Sequence, residues 1–321
     1  MMVVFQRRII YMGYAPLGSR KEEIRKHVPL GHLRGISCEE ICIKGEGKVT
    51  LAGIVVRQEG HTNEPPGTVI VYLQGNAGNP LHRLPVFQQL LRAPAISSSP
   101  QNTRDVAVVA VAPRSYWKST PSRPTERGLL SDYLHTLHYT LDRFPSSRII
   151  FYGHSLGGAA AICLLSKLHE ATDSNDILSQ RYHNIKGIIL ENPFASIPGM
   201  VRALYPQPWL PYRHLAQLAF DKWDAAADMR MLSTPSCPNT TLKRLAGNML
   251  ILLSENDEIV PPAMGTELYN AAVVSSAAAT PRLVVVKDAL HENAWDKRQW
   301  LPEMKRYIDV IRNKRDSNVV H

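Results

Sequence analysis

The segment Arg148-Ile-Ile-Phe-Tyr-Gly153-His154-Ser155-Leu156-Gly157-Gly158-Ala-Ala-Ala sets one serine between glycines, after a run of strand formers and before a run of small residues. A strand, a G-x-S-x-G turn and a helix in that order push the serine hydroxyl outward on strained backbone. A Cβ at either flanking glycine would collide with the neighbouring strand or helix. The amides that follow Ser155 open a helix and point at any anion formed beside it. The chemistry this allows is attack of Ser155 on an acyl carbon; the plain alternative is an N-cap serine on an ordinary strand-helix unit.

A serine hydroxyl is a weak nucleophile at neutral pH, so a histidine must take its proton and a carboxylate must hold that histidine. On a sheet of this kind both should follow the serine in chain order, each on a loop after a later strand. Ser254-Glu255-Asn256-Asp257-Glu258-Ile259-Val260-Pro261-Pro262 follows one strand candidate, and Asp288-Ala-Leu-His291-Glu-Asn-Ala-Trp295 follows another. His291 is the histidine in the right place: His169 and His183 precede the next strand, His214 falls in an insertion and His321 is terminal. Asp257 competes with Glu255 and Glu258; its shorter side chain suits a fixed imidazole, and the glutamates read as charges at a helix N-terminus.

A second strand end, Val71-Tyr-Leu-Gln74-Gly75-Asn76-Ala77-Gly78-Asn79, has residues small enough for a backbone N–H to approach a tetrahedral oxygen. Asn76 N–H and Leu156 N–H are the expected oxyanion donors; the alternative is a glycine-rich turn without a ligand. Gly75-x-x-Gly78 lacks the spacing and the Lys-Ser/Thr of a phosphate loop. Cys38 and Cys42 lack companion ligands for zinc, and Asp132, His135 and His138 read as a solvated helix stripe rather than a metal site. No cofactor and no metal are expected.

The elements that must position these residues alternate along the chain. Ile36–Ile43 and Val49–Arg57 read as a hairpin, followed by buried-strand candidates at Val69–Leu73, Val106–Val111, Arg148–Tyr152, Ile185–Leu190, Met249–Leu253 and Leu283–Lys287, with helical patterns at His82–Leu91, Gly128–Phe144, Leu156–Leu168, Pro262–Val273 and Gln299–Arg315. That alternation predicts an α/β architecture, a mostly parallel sheet with helices on both faces and its site at the carboxyl edge. Residues 197–246 break it with Tyr205, Trp209, Tyr212, Phe220 and Trp223 among prolines, a candidate helical lid. The expected division is a basic segment at 1–35, one domain over 36–315 and a tail at 316–321.

The 321 residues are 44% apolar, enough for a sizeable core and too many for a disordered chain. The net charge of +9 sits at the ends. Residues 1–34 hold seven Lys/Arg against two Glu, 297–321 hold seven against three acids, and the interval between is neutral. A nucleic-acid enzyme would spread basic charge over its face, so none is expected as a partner; solvated ends are the first reading, and peripheral contact with an anionic membrane the second. No apolar run reaches the ~18–20 residues of a spanning helix, and Met1–Phe5 is too short for a signal-peptide core. Four cysteines at no framework spacing favour a reducing compartment. Cytoplasm or the surface of an intracellular membrane is the expected location.

Taken together, Gln74-Gly-Asn-Ala-Gly-Asn79 with His82-Arg-Leu-Pro85, Gly153-His-Ser-Leu-Gly-Gly158, Glu191-Asn-Pro-Phe-Ala-Ser-Ile-Pro198, Asp257-Glu-Ile-Val-Pro-Pro262 and His291-Glu-Asn-Ala-Trp295 resemble the α/β-hydrolase superfamily, and within it the bud-emergence-type branch, over about residues 40–312. The resemblance implies that Ser155, Asp257 and His291 stand at the family's catalytic triad positions. Three departures stand out: the family usually has His at the place of Gln74, Arg at the place of His154, and Tyr-Arg-Gly-Tyr-Gly where this chain has Pro113-Arg-Ser-Tyr-Trp117. Family members often begin with a membrane-anchoring helix, for which this sequence gives no signal. The expected function is a serine hydrolase of carboxylic esters or thioesters, with an acyl or lipid-like small molecule or an acylated protein as substrate. Protein depalmitoylation is one version; a serine peptidase and a catalytically silent binding scaffold are the rivals.

Overall fold

The structure, a computed structural model, describes residues 2–60, 64–92, 106–170, 177–207, 209, 218–276 and 280–313. The sheet runs β1 (Ile36–Lys44), β2 (Thr50–Gln58), β3 (Thr68–Leu73), β4 (Val106–Val111), β5 (Arg148–His154), β6 (Ile185–Glu191), β7 (Met249–Ser254) and β8 (Arg282–Val286). Its spatial order is β1-β2-β4-β3-β5-β6-β7-β8, antiparallel across β1-β2 and β2-β4 and parallel thereafter. Every residue of β3 and β7 is buried, as strands covered on both faces require. The two faces show as two apolar clusters: Ile54, Val56, Ile70 and Val108 belong to one, Val55, Val69, Val109 and Val111 to the other. β8 departs from the expectation of a doubly covered strand, because it is the sheet's edge and Val285 faces solvent at 43% exposure.

The principal helices are α1 (Met2–Ile10), α2 (Leu84–Arg92), α3 (Glu126–Arg143), α4 (Leu156–Leu165), α5 (Ile197–Leu204), α6 (Ala225–Met231), α7 (Pro262–Ser275) and α8 (Trp300–Asn313). Among the described residues no helix is long and apolar enough to cross a membrane. All ten residues of α4 are buried. A ten-residue helix with no polar face must sit between the sheet and other helices, and α4 is flanked by α3 and α6.

Two expectations change. Asp132 on α3 is no solvated residue: it is fully buried, and its carboxylate accepts two hydrogen bonds from the Arg114 guanidinium at 2.8 and 2.9 Å and one from Arg114 N–H at 2.8 Å. A buried charge needs a partner of this kind, and the pair fixes the turn in which Tyr116 and Trp117 point inward. The Tyr116 hydroxyl donates to Asn76 O, and Trp117 Nε1 donates to Glu22 O.

The N-terminal residues, in turn, dock on the body. Met12 N–H donates to Asn76 O and Gly78 N–H to Ala15 O, both at 2.7 Å, while Asn79 Nδ2 donates to Ser19 O. Arg7 pairs with the buried Asp221 at 2.6 Å, and Trp223 Nε1 donates to the Tyr11 hydroxyl. Residues 314–321, which include the expected tail, and Tyr212 and His214 of the insertion lie outside the described residues.

Candidate active site

Ser155 sits where β5 turns into α4, with φ 53° and ψ −116°, a conformation that L-residues other than glycine rarely adopt. It is 7% exposed, and its side chain makes no capping bond to α4, which removes the N-cap alternative. The turn is held from outside by Ser155 N–H, which donates to Glu191 O at the end of β6. The glycines around it are required by space. A Cβ on Gly153 would lie 2.3 Å from Gly157 O, and one on Gly157 would lie 2.0 Å from Leu73 O.

After β7, Asp257 turns its carboxylate back on its own loop. Its Oδ1 accepts from the N–H groups of Ile259 and Val260 at 2.9 and 2.8 Å, and the same carboxylate meets His291 Nδ1 at 2.8–2.9 Å. His291 is 2% exposed and the Asp257 side chain equally buried. With Nδ1–H committed to the carboxylate, Nε2 is the imidazole atom free to accept a proton.

Glu255 and Glu258 are not the helix N-terminal charges expected of them; the first turn of α7 carries no acid. Glu258 instead accepts from His291 N–H at 3.0 Å, and Glu255 pairs with Lys287.

The other side of His291 is held by residues that the sequence reading gave no role. His291 O accepts from Asn192 Nδ2 at 2.8 Å and from His154 Nε2 at 3.1 Å. His154 Nδ1 faces Arg83 Nη2 at 2.8 Å, and that guanidinium also donates to Glu292 at 2.6 Å. A carbonyl can only accept and a guanidinium only donate, so His154 carries its proton on Nε2 and is neutral. Its ring stands 4.9 Å from that of His291. Burial first, then the positive Arg83, hold the His154 pKa well below its ordinary 6.5.

A consequence for stability follows. Below about pH 6.5 the unfolded chain takes up a proton that folded His154 refuses, so stability present above that pH is lost as pH falls towards the depressed folded value. The loss from one such group is at most about 1.4 kcal/mol per pH unit. His154→Gln, which keeps a donor for His291 O and an acceptor for Arg83, should flatten the fall in Tm between roughly pH 6.5 and pH 5; equal slopes in thermal melts of the two proteins would contradict the account.

The proposed oxyanion donors lie at two neighbouring strand ends. Leu156 is the first residue of α4, so its N–H has no partner within the helix. The Asn76 loop approaches the elbow closely, since a Cβ on Gly75 would be 3.7 Å from Ser155 Cβ. The structure thus joins Asp257 to His291 directly and seats His291 against the residue preceding Ser155. Among the described residues no hydrogen bond links Ser155 Oγ to His291, and resting hydrolase sites often close that bond only around substrate.

No family model matches the chain. Over 267 residues it is 28% identical to Protein bem46 of Schizosaccharomyces pombe, covering 83% of this chain and 74% of that one. Over 64% of this chain it is 29% identical to Lysophosphatidylserine lipase ABHD12 of Gallus gallus, of which it spans 48%. The Pyrococcus furiosus esterase Pf2001 superposes on 85% of this chain and 91% of its own, with a TM-score of 0.56 at 16% identity, which speaks for the fold. The chain has the α/β-hydrolase fold and is similar to bem46-type proteins.

In this α/β-hydrolase fold the expected lid aromatics separate. Trp223 is a core residue, fully buried, whereas Trp209 and Phe220 are 78% and 62% exposed. The Arg83–His154 clamp had one usable signal, the family match at Arg83 beside the departure at His154; Asn192 had another, its place in the matching segment 191–198.

Proposed function

We propose that this protein hydrolyses carboxylic esters or thioesters of an acyl or lipid-like substrate through an acyl-enzyme. Ser155 Oγ attacks the carbonyl carbon and passes its proton to His291 Nε2. The imidazolium, steadied by Asp257, returns that proton to the departing alkoxide or thiolate. Water then attacks the acyl carbon, giving its proton to His291, which passes it to Ser155 Oγ as the carboxylic acid leaves. The N–H groups of Asn76 and Leu156 receive the oxyanion in both steps.

The observation that carries this reading is a serine held at φ 53° without a capping role, whose chain neighbour His154 packs on a buried imidazole already locked on a carboxylate. The relative named a lysophosphatidylserine lipase supports an ester over an amide. The exposed Leu204, Trp209, Leu218 and Phe220 of the 197–246 segment give it an apolar surface suited to cover an acyl chain.

The test is covalent labelling with a fluorophosphonate, followed by turnover of p-nitrophenyl esters of graded chain length against peptide anilides. Labelling and ester preference are expected; a preference for anilides would make the protein a peptidase, and folded protein that does not label would make it a silent scaffold. Asp257→Asn keeps an oxygen for the Ile259 and Val260 amides while reversing the polarity offered to His291. It should lower kcat roughly 10⁴-fold with little change in KM. A loss under about tenfold on the best p-nitrophenyl ester would remove Asp257 from the relay.

A further inference from the structure

Near the reaction centre, the Tyr72 hydroxyl and both the Oε1 and the Nε2 of Gln74 are buried without a hydrogen-bond partner, as is Glu191 Oε1 behind them. Tyr72 stands near the end of β3 and Gln74 directly follows its last residue, and both meet at one cavity. Gln74 is 4% exposed and Tyr72 is 1% exposed. Leaving a buried polar group unbonded costs about 1–3 kcal/mol, so a cluster of three at a rim that also carries the elbow calls for an incoming partner.

Both side chains line a cavity of about 250 Å³ bounded by the 75–79 loop, Arg83 and His154, with Glu292 and Trp295 across from them. The cavity therefore shares the Asn76 loop with the oxyanion site and the residue after His291 with the relay. Its volume equals roughly eight water molecules at ~30 Å³ each, room for a short polyol.

Charge selects the class of partner. Arg83 is matched by Glu292 at 2.6 Å, and His82 by Glu22 at 2.8 Å. A phosphate or carboxylate would have to displace Glu292 and leave it facing a like charge. The unmatched atoms are instead an amide, which donates at one end and accepts at the other, and a phenol, which does both; a hydroxyl is the group that complements each of them.

We propose that this cavity binds the neutral, hydroxyl-bearing alcohol portion of the ester, of the glycerol monoester class, through Gln74 and Tyr72. The inference rests on the hydrolase reading given above. A hydroxyl of the alcohol donates to Gln74 Oε1, another accepts from Nε2, and Tyr72 bonds to whichever remains open.

The experiment measures how stable ethers slow fluorophosphonate labelling of the full chain. 1-O-decylglycerol is compared with decyl propyl ether, which has the same chain and no hydroxyls, and with 1-O-decylglycerol phosphate. The glycerol ether should halve the labelling rate at a concentration at least tenfold lower than either comparator. Gln74→Met and Tyr72→Phe should each bring the glycerol and propyl ethers within about threefold of one another. Equal protection by those two ethers in the wild type, no protection by either, or an unchanged ratio in both variants would show a cavity that holds only water and would overturn the subsite while leaving the hydrolase intact. Stronger protection by the phosphate would overturn the neutral class. Folded protein that does not label at all would overturn the hydrolase reading, and the subsite with it.

Discussion

Ser155→Ala is expected to abolish fluorophosphonate labelling and to lower ester turnover by about 10⁴-fold or more, since removing the nucleophile of such a relay leaves only what binding and oxyanion donors provide. The fold should survive, because the Ser155 side chain caps nothing and the backbone bond from Ser155 N–H to Glu191 O is kept. Alanine at φ 53° carries the same strain that serine does. The informative measurement is the pair of a thermal melt and a rate on one preparation. An unchanged Tm with lost activity is the expected result; a variant that retains more than about a tenth of wild-type turnover would mean that another group attacks the ester.

Gly157→Ala should fail for the opposite reason. Its new methyl group would stand 2.0 Å from Leu73 O, 2.5 Å from Leu73 C and 2.8 Å from Gln74 O, all main-chain atoms of β3 and the turn after it. Main chain in the middle of a sheet cannot swing aside as a side-chain end can, so α4 must lift from the sheet, at about 3 kcal/mol or more. At roughly 1.5 °C per kcal/mol for a chain of 321 residues this lowers Tm by about 4–5 °C or more. Activity should fall as well, because Leu156 and Ser155 move with the helix. A melt within about 2 °C of wild type would show that β3 and α4 are not packed as described.

How much of this was legible follows from which contacts are local. The elbow is encoded within about ten residues, since strand formers, glycines and small helix residues each declare themselves in sequence, and Gly153, Ser155 and Gly157 fall where those patterns demand. His291 was reachable by chain order, because it follows a strand whose apolar run is unambiguous; chain order reached only the loop of Asp257, and its shorter side chain separated it from Glu255 and Glu258.

The clamp was not reachable that way. Arg83 and His154 are 71 residues apart, and Asn192 and His291 are 99 apart. Nothing in the pattern around either partner announces the other. Asp132 misled for a related reason: an acid on an amphipathic helix reads as solvated until its guanidinium partner, 18 residues upstream, is brought over it. Glu258 shows the limit at short range, where a nearby helix start suggested a dipole role and the His291 amide claimed the carboxylate instead.

The strap of residues 11–19 gives the molecule a mechanical property. Because main-chain bonds tie Met12 to Asn76 and Ala15 to Gly78, while Tyr11 is pinned to the buried Trp223, a pull or a tether at the amino end is passed directly to the 76–78 loop. On the proposed hydrolase reading, a force applied there would act on the loop that donates to the oxyanion.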